Sequence, residues 1–196
     1  MSKAFFVFQL TGQVSRGRNE LTIDGIWLKE ERCVTSRGTI WLTDWLWKFR
    51  LEEIGMKITR TIDFELIAQL NKPILELHAS LYPQHFTEYN FEDTRDTFKQ
   101  WVTNDNFIFL LLEEDDEPMG YAWVEIKNYT QTAFKKPYKS VFVHQISIIE
   151  KQTNRGYGSH LMNYIYGIAK SEGIDLVELD YWVNNERAKN FYKKQG

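Results

Sequence analysis

Three scarcities bound this chain of 196 residues. It has one cysteine, Cys33, so it cannot build an intramolecular disulfide framework or a cysteine-based zinc site, and no metal is expected. A reducing compartment fits that usage. No apolar stretch approaches the roughly twenty residues of a membrane-spanning helix. The short run Ala4–Leu10 follows a single lysine and lacks a clear small-residue cleavage site, so the expectation is a cytoplasmic protein with no membrane partner. Charge of one sign is also lacking. The 24 basic and 27 acidic residues leave a formal charge of −3, and without a basic face nucleic acid is not an expected partner. Aromatic residues, by contrast, make up 15% of the chain and supply ample material for a core.

Against that background, the segment Thr153-Asn154-Arg155-Gly156-Tyr157-Gly158 stands out. The apolar, strand-like run Val141–Ile149 precedes it and the helix-like run Ser159–Glu172 follows. A strand that turns through glycines into a helix presents backbone N–H groups without intrahelical partners, and the helix dipole favours an anion there. Gly156 and Gly158 permit a close backbone approach. Ser159-His160 follows the last glycine, where a nucleotide-triphosphate loop needs Lys-Ser or Lys-Thr. The three-glycine dinucleotide spacing is also missing. Taken alone, the segment is either an anion cradle or a tight turn without a ligand.

Periodicity supplies the rest of the order. Met56–Arg60 alternates as a short strand, and Asp63 can cap a helix bearing Leu66, Ile67 and Leu70 on one face. Pro73 is expected to kink or break that helix before Leu75–Leu81 continues it to Tyr82-Pro83. Phe91–Val102 reads as a second amphipathic helix. Phe107–Leu112 and Gly120–Lys127 read as strands joined by an acidic hairpin loop, Glu113–Met119. After the cradle and its helix, Gly173 is a stop, Ile174–Val183 a buried strand, and Asn184-Asn185 an N-cap for a final helix. The order is β-α-α-β-β-β-α-β-α.

The final helix carries Asn185, Ala188, Phe191, Tyr192 and Gly196. With the cradle about thirty residues upstream, this strongly resembles the GNAT N-acetyltransferase superfamily over about residues 56–196. The family's cradle reads roughly Arg/Gln-x-x-Gly-x-Gly/Ala, and its second motif Asn-x-x-Ala-x-x-Phe-Tyr-x-x-x-Gly. One departure is plain: Thr153 stands at the Arg/Gln position, with Gln152 one residue early and Arg155 two late. The resemblance implies an α/β (α+β) fold with a mixed, mostly antiparallel central sheet flanked by helices. It also implies direct acetyl transfer from acetyl-CoA to a primary amine of a small molecule or peptide. The alternative is a catalytically impaired acyl-CoA-binding regulatory module or an enzyme fragment. A homodimer is left open.

Carried over residue by residue, the resemblance places acetyl-CoA on Ile146, Ser147 and Ile148 of a splayed strand, on Thr153 to Ser159, and on Asn185, Ala188 and Tyr192. The backbone N–H of Ile148 faces the thioester carbonyl, and Tyr192 is the general acid, kept protonated by a phenol pKa near 10. His144 is the candidate base, placed on the same strand face as Ile148 by alternation, and its titration range suits neutral pH. Glu125 is the alternative base and Asp180 a third. Helix-packed tyrosines and structural histidines are the plain alternatives to these roles. The acceptor side draws on His78, Tyr82, His85, Phe86, Tyr89, Asp180 and Tyr181, whose aromatic and acidic character suits a cationic amine.

Two features frame this region. The family continues past Gly196 with two more strands, and without a replacement Ile174–Val183 would be an exposed edge. Residues 1–55 hold Cys33 and four of the seven tryptophans, namely Trp27, Trp41, Trp45 and Trp47. The favoured reading is an upstream extension from a misassigned start. In the other reading, Ala4–Leu10 and Leu21–Lys29 patch the sheet and Ile40–Phe49 is an amphipathic helix.

Overall fold

Apolar side chains alternate along most strands, and two of the central ones are apolar on both sides, which demands a sheet covered on both faces. The computed structural model describes residues 3–9, 20–23, 26–29, 32–35, 38–41 and 55–195. Its main sheet contains β1 (Lys3–Gln9), β6 (Met56–Arg60), β7 (Phe107–Glu114), β8 (Glu117–Tyr129), β9 (Tyr138–Ile148) and β10 (Leu176–Trp182). The spatial order is β1-β10-β9-β8-β7-β6, and only the β9–β10 pair is parallel. Two separate hairpins pair β2 (Glu20–Ile23) with β3 (Ile26–Lys29) and β4 (Arg32–Thr35) with β5 (Gly38–Trp41). The expected single strand over Leu21–Lys29 is thus a hairpin. Part of the expected helix Ile40–Phe49 is strand, and its remainder lies outside the described residues.

Among the described residues four helices cover the sheet: α1 (Phe64–Leu81), α2 (Phe91–Trp101), α3 (Tyr157–Ser171) and α4 (Glu186–Lys193). One face packs Ile67, Ala68 and Leu70 of α1 and Phe98 of α2 against Phe109, Leu111 and Tyr121. The other packs Leu161, Met162, Ile165 and Ala169 of α3 and Tyr192 of α4 against Leu110, Val124, Val143 and Leu179. The capping reads as the sequence implies. Asp63 accepts from the Leu66 N–H at 3.0 Å, and Asn185 from the Ala188 N–H at 3.0 Å. At the α3 stop, Gly173 lies at φ +65°, its N–H donates to the Lys170 carbonyl and that of Ile174 to the Ala169 carbonyl.

Two local expectations are corrected, and one condition is resolved. Pro73 neither ends nor splits α1, which runs through it for 18 residues. The Ser147 hydroxyl donates at 2.7 Å to the Leu70 carbonyl, on the turn before the proline, and ties the helix to β9 there. The β7–β8 loop is only Asp115-Asp116, both at positive φ, which short aspartates tolerate and which matches the strand twist. The exposed edge expected of β10 without a replacement does not arise: β1 pairs with it from Lys3↔Trp182 to Gln9↔Leu176, with Ala4, Phe6 and Phe8 turned to the α3-side core.

Candidate active site

The parallel β9–β10 pair holds only from Val141↔Val177 to Val143↔Leu179. Beyond it β9 continues to Ile148 and β10 to Trp182, so the two strands part. On its other side β9 stays paired with β8 through Ile148↔Gly120. The Ile149 N–H donates to the Met119 carbonyl of β8 at 3.0 Å. Backbone groups alternate sides along a strand, so those of Ile148 and Ile146 point away from β8 into the gap.

That gap is a cleft of about 800 Å³ that passes through the sheet layer. Pro73, Ile74 and Leu77 of α1 line it from one face, and the start of α3 with residues of α4 from the other. Of the expected cofactor residues, the structure brings Ile146, Ser147, Ile148, Thr153, Asn154, Gly156, Tyr157, Gly158, Ser159, Asn185, Ala188 and Tyr192 to its wall. Arg155 does not line it. Its guanidinium donates to Gln152 at 2.5 Å, sits 3.6 Å from Glu114 and covers the Tyr157 ring. Gln152 lines the cleft in its stead, beside Thr153.

The cradle has the geometry of an anion site. A 3-10 turn over Glu150–Gln152 intervenes between β9 and the cradle. Asn154 and Gly156 lie at φ +66° and +88°. The first intrahelical bond of α3 runs from the His160 N–H to the Gly156 carbonyl, so the N–H groups of Tyr157, Gly158 and Ser159 precede the ladder, and no side chain caps them. The two glycines serve different needs. Gly156 supplies the left-handed turn, whereas a Cβ at Gly158 would sit 3.1 Å from the Phe191 ring of α4. Sequence reasoning missed Arg187, Asn190 and Lys194, which also line the cleft. Their spacing of three and four places them on one helix face, and that was the available signal.

Tyr192 is buried at the cleft wall. Burial raises its phenol well above the usual 10, with Asp180 and Tyr166 adding in the same direction, so it stays protonated. His144 lies elsewhere than alternation implies. The register shifts between Trp123↔Gln145 and Val124↔Val143, leaving His144 as an extra residue, a bulge. Ile146 and Ile148 therefore pack toward the α3 side, while His144 faces the α1/α2 side. There its ring stacks on Trp123 at 4.1 Å and its Nε2 lies 2.8 Å from Glu125 Oε2. Burial pulls the imidazole below its ordinary 6.5, the Glu125 hydrogen bond opposes this, and Lys127 adds to the lowering. Beside it Gln145 accepts from Asn71 at 2.8 Å and from the Tyr121 hydroxyl.

The acceptor-side residues divide. His78, Tyr82, His85 and Phe86 gather with Trp182 at the C-terminal end of α1. Asp180 lies on the same face of β10 as Trp182. Tyr181 is turned to the opposite face and buried against Phe6 and Tyr192. Tyr89 donates to the Ala68 carbonyl at 3.0 Å and ties the segment before α2 onto α1. Among the described residues no cluster of His, Cys, Asp and Glu could hold a metal ion, and no helix is long and apolar enough to cross a membrane.

Comparison with known proteins accords with this geometry. An uncharacterised N-acetyltransferase of Methanocaldococcus jannaschii is 27% identical over 155 residues, covering 76% of this chain and 67% of that protein. A crystal structure of a mutant Bacillus halodurans protein superposes with TM-score 0.67 at 22% identity, covering 71% of this chain and 91% of that one. An aminoglycoside N-acetyltransferase solved in complex with CoA has TM-score 0.54 at 15% identity, covering 72% and 86%. The description "Acetyltransferase (GNAT) family" matches residues 72–196, more than half of the chain, and this protein therefore belongs to the GNAT acetyltransferase family.

Proposed function

We propose that the protein transfers an acetyl group from acetyl-CoA to a primary amine. The observation that carries this reading is the cleft between parted β9 and β10, with unpaired N–H groups of α3 at one end and buried Tyr192 on its wall. In this reading the pyrophosphate sits on the Tyr157, Gly158 and Ser159 N–H groups, with Arg187 and Lys194 on the rim. The pantetheine arm pairs with the free backbone of Ile146 and Ile148, as an added strand would. The Ile148 N–H donates to the thioester carbonyl and stabilises the charge that develops there.

The amine approaches from the α1/α2 side, where His144 and Glu125 stand. A neutral imidazole accepts the ammonium proton, directly or through water, and Glu125 holds the ring and stabilises its charged form. Nitrogen forms the amide bond as the carbon–sulfur bond breaks, and Tyr192 protonates the departing thiolate. Titration calorimetry with acetyl-CoA, followed by a thiol-release assay over an amine panel, tests the reading. Tyr192→Phe should lower turnover by about a hundredfold or more while leaving acetyl-CoA affinity within a few-fold. Unchanged turnover would remove Tyr192 from the acid role. A second reading, binding without turnover, is favoured by Thr153 at the Arg/Gln corner and by Arg155 turned outward. Heat of acetyl-CoA binding with no thiol release from any amine would select it.

A further inference from the structure

The carboxylate of Asp180 and the face of Trp182 together hold one cation, and it belongs to the chain itself. Lys3 Nζ lies 3.0 Å from Asp180 Oδ2 and 5.3 Å from the centre of the Trp182 ring. A carboxylate on one side and an indole face on another is the chemistry that recognises an alkylammonium. Trp182 is fixed for that task, packed against Tyr82 at 4.8 Å, Phe86 at 5.2 Å and His85 at 5.8 Å.

The cluster sits at the C-terminal end of α1, the helix whose Pro73, Ile74 and Leu77 line the cleft. Tyr82 lies just over one helical turn beyond Leu77, a lining residue, and its hydroxyl accepts from the Asn184 N–H at 2.8 Å, beside Asn185 of the wall. Asp180 also acts electrostatically on both His144 and Tyr192, so it lies within range of the base and the acid alike. Lys3 is well suited to leave. It stands on an edge strand and its side chain is 41% exposed, which makes the ion pair weak.

From this we propose that Asp180 and Trp182 form the subsite for the acceptor, an unbranched alkylammonium, and that Lys3 occupies it until a substrate amine displaces it. This deepens the acetyltransferase reading and rests on it for the identity of the site. The occupant's straight four-carbon stem and primary ammonium define the substrate class. A diamine or a lysine-like side chain presents the same group, whereas a neutral alcohol does not.

The test uses the full chain and cadaverine, an unbranched diamine, by titration calorimetry without acetyl-CoA. Lys3→Gln should tighten cadaverine binding roughly two- to fivefold, the value of an exposed ion pair and cation–π contact. Asp180→Asn should weaken it, and in that background Lys3→Gln should have no further effect. Pentanediol should not bind. Cadaverine affinity indifferent to Lys3→Gln, or equal binding of pentanediol, overturns the subsite even in an active enzyme. Absence of acetyl-CoA binding in the same instrument overturns the acetyltransferase reading instead, and a Lys3-sensitive cadaverine site would still stand.

Discussion

At the scale of single residues, the cradle and the bulge respond to different probes. Gly156 sits at φ +88°, so Gly156→Ala should cost about 1–2 kcal/mol in urea unfolding and weaken acetyl-CoA binding, although a Cβ there meets nothing closer than 3.8 Å. A wild-type urea midpoint would show that the turn adapts. His144 predicts a pH response. Its imidazole is held below 6.5 by burial, so the unfolded chain takes up the proton first as pH falls. The stability it contributes is complete above 6.5 and is lost as pH falls from there through its lower folded value. His78, also lowered by burial, acts in the same direction. His144→Gln should therefore flatten the loss of stability below 6.5, and it should remove the acid limb of the turnover profile. An acid limb that survives the substitution moves the base from His144 to a carboxylate, Glu125 or Asp180. Sequence made the convergence of the cradle, Asn185, Ala188 and Tyr192 on one cleft legible, because it depends on spacing along single elements. The orientation of His144 was not, since one extra residue in β9 reverses the parity on which alternation rests.

Among the elements, α1 and β9 bear on each other most directly. Ser147 is buried and its hydroxyl reaches across to the Leu70 carbonyl, so one side chain both secures the proline-bearing helix and fixes the strand beside the cleft. Ser147→Ala should cost about 1 kcal/mol in urea unfolding, because it removes a buried hydrogen bond between α1 and β9. It should also loosen the α1 wall at Pro73, Ile74 and Leu77, seen as weaker acetyl-CoA binding at unchanged secondary structure. Equal stability of the variant would show that the bond between α1 and β9 contributes nothing net. The element order from β6 to α4 was readable because caps, glycine stops and hydrophobic period agreed at nearly every boundary. The hydrogen bond that ties α1 to β9 beside Pro73 was not readable, since its donor lies 77 positions away.

Across the whole molecule, the sheet is closed by a strand from the far end of the chain. β1 sets Phe6 and Phe8 against the α3-side core, so removing residues 1–9 should cost about 3 kcal/mol, uncover β10 and shift the protein toward aggregation. Chromatography and urea unfolding of that truncation would show it, and an unchanged midpoint would mean that β10 tolerates being an edge. No local pattern links Ala4–Phe8 to Val177–Tyr181, so this pairing could be posed from sequence only as one of two readings. It has a further consequence during synthesis. Lys3 and Asp180 are separated by 177 positions, and β1 emerges long before the strand it needs. At roughly 5–20 residues per second a ribosome takes on the order of ten to thirty seconds to cover that distance. For that interval an apolar strand waits beside a growing chain, and whatever shields it then decides how much of the protein reaches the folded state.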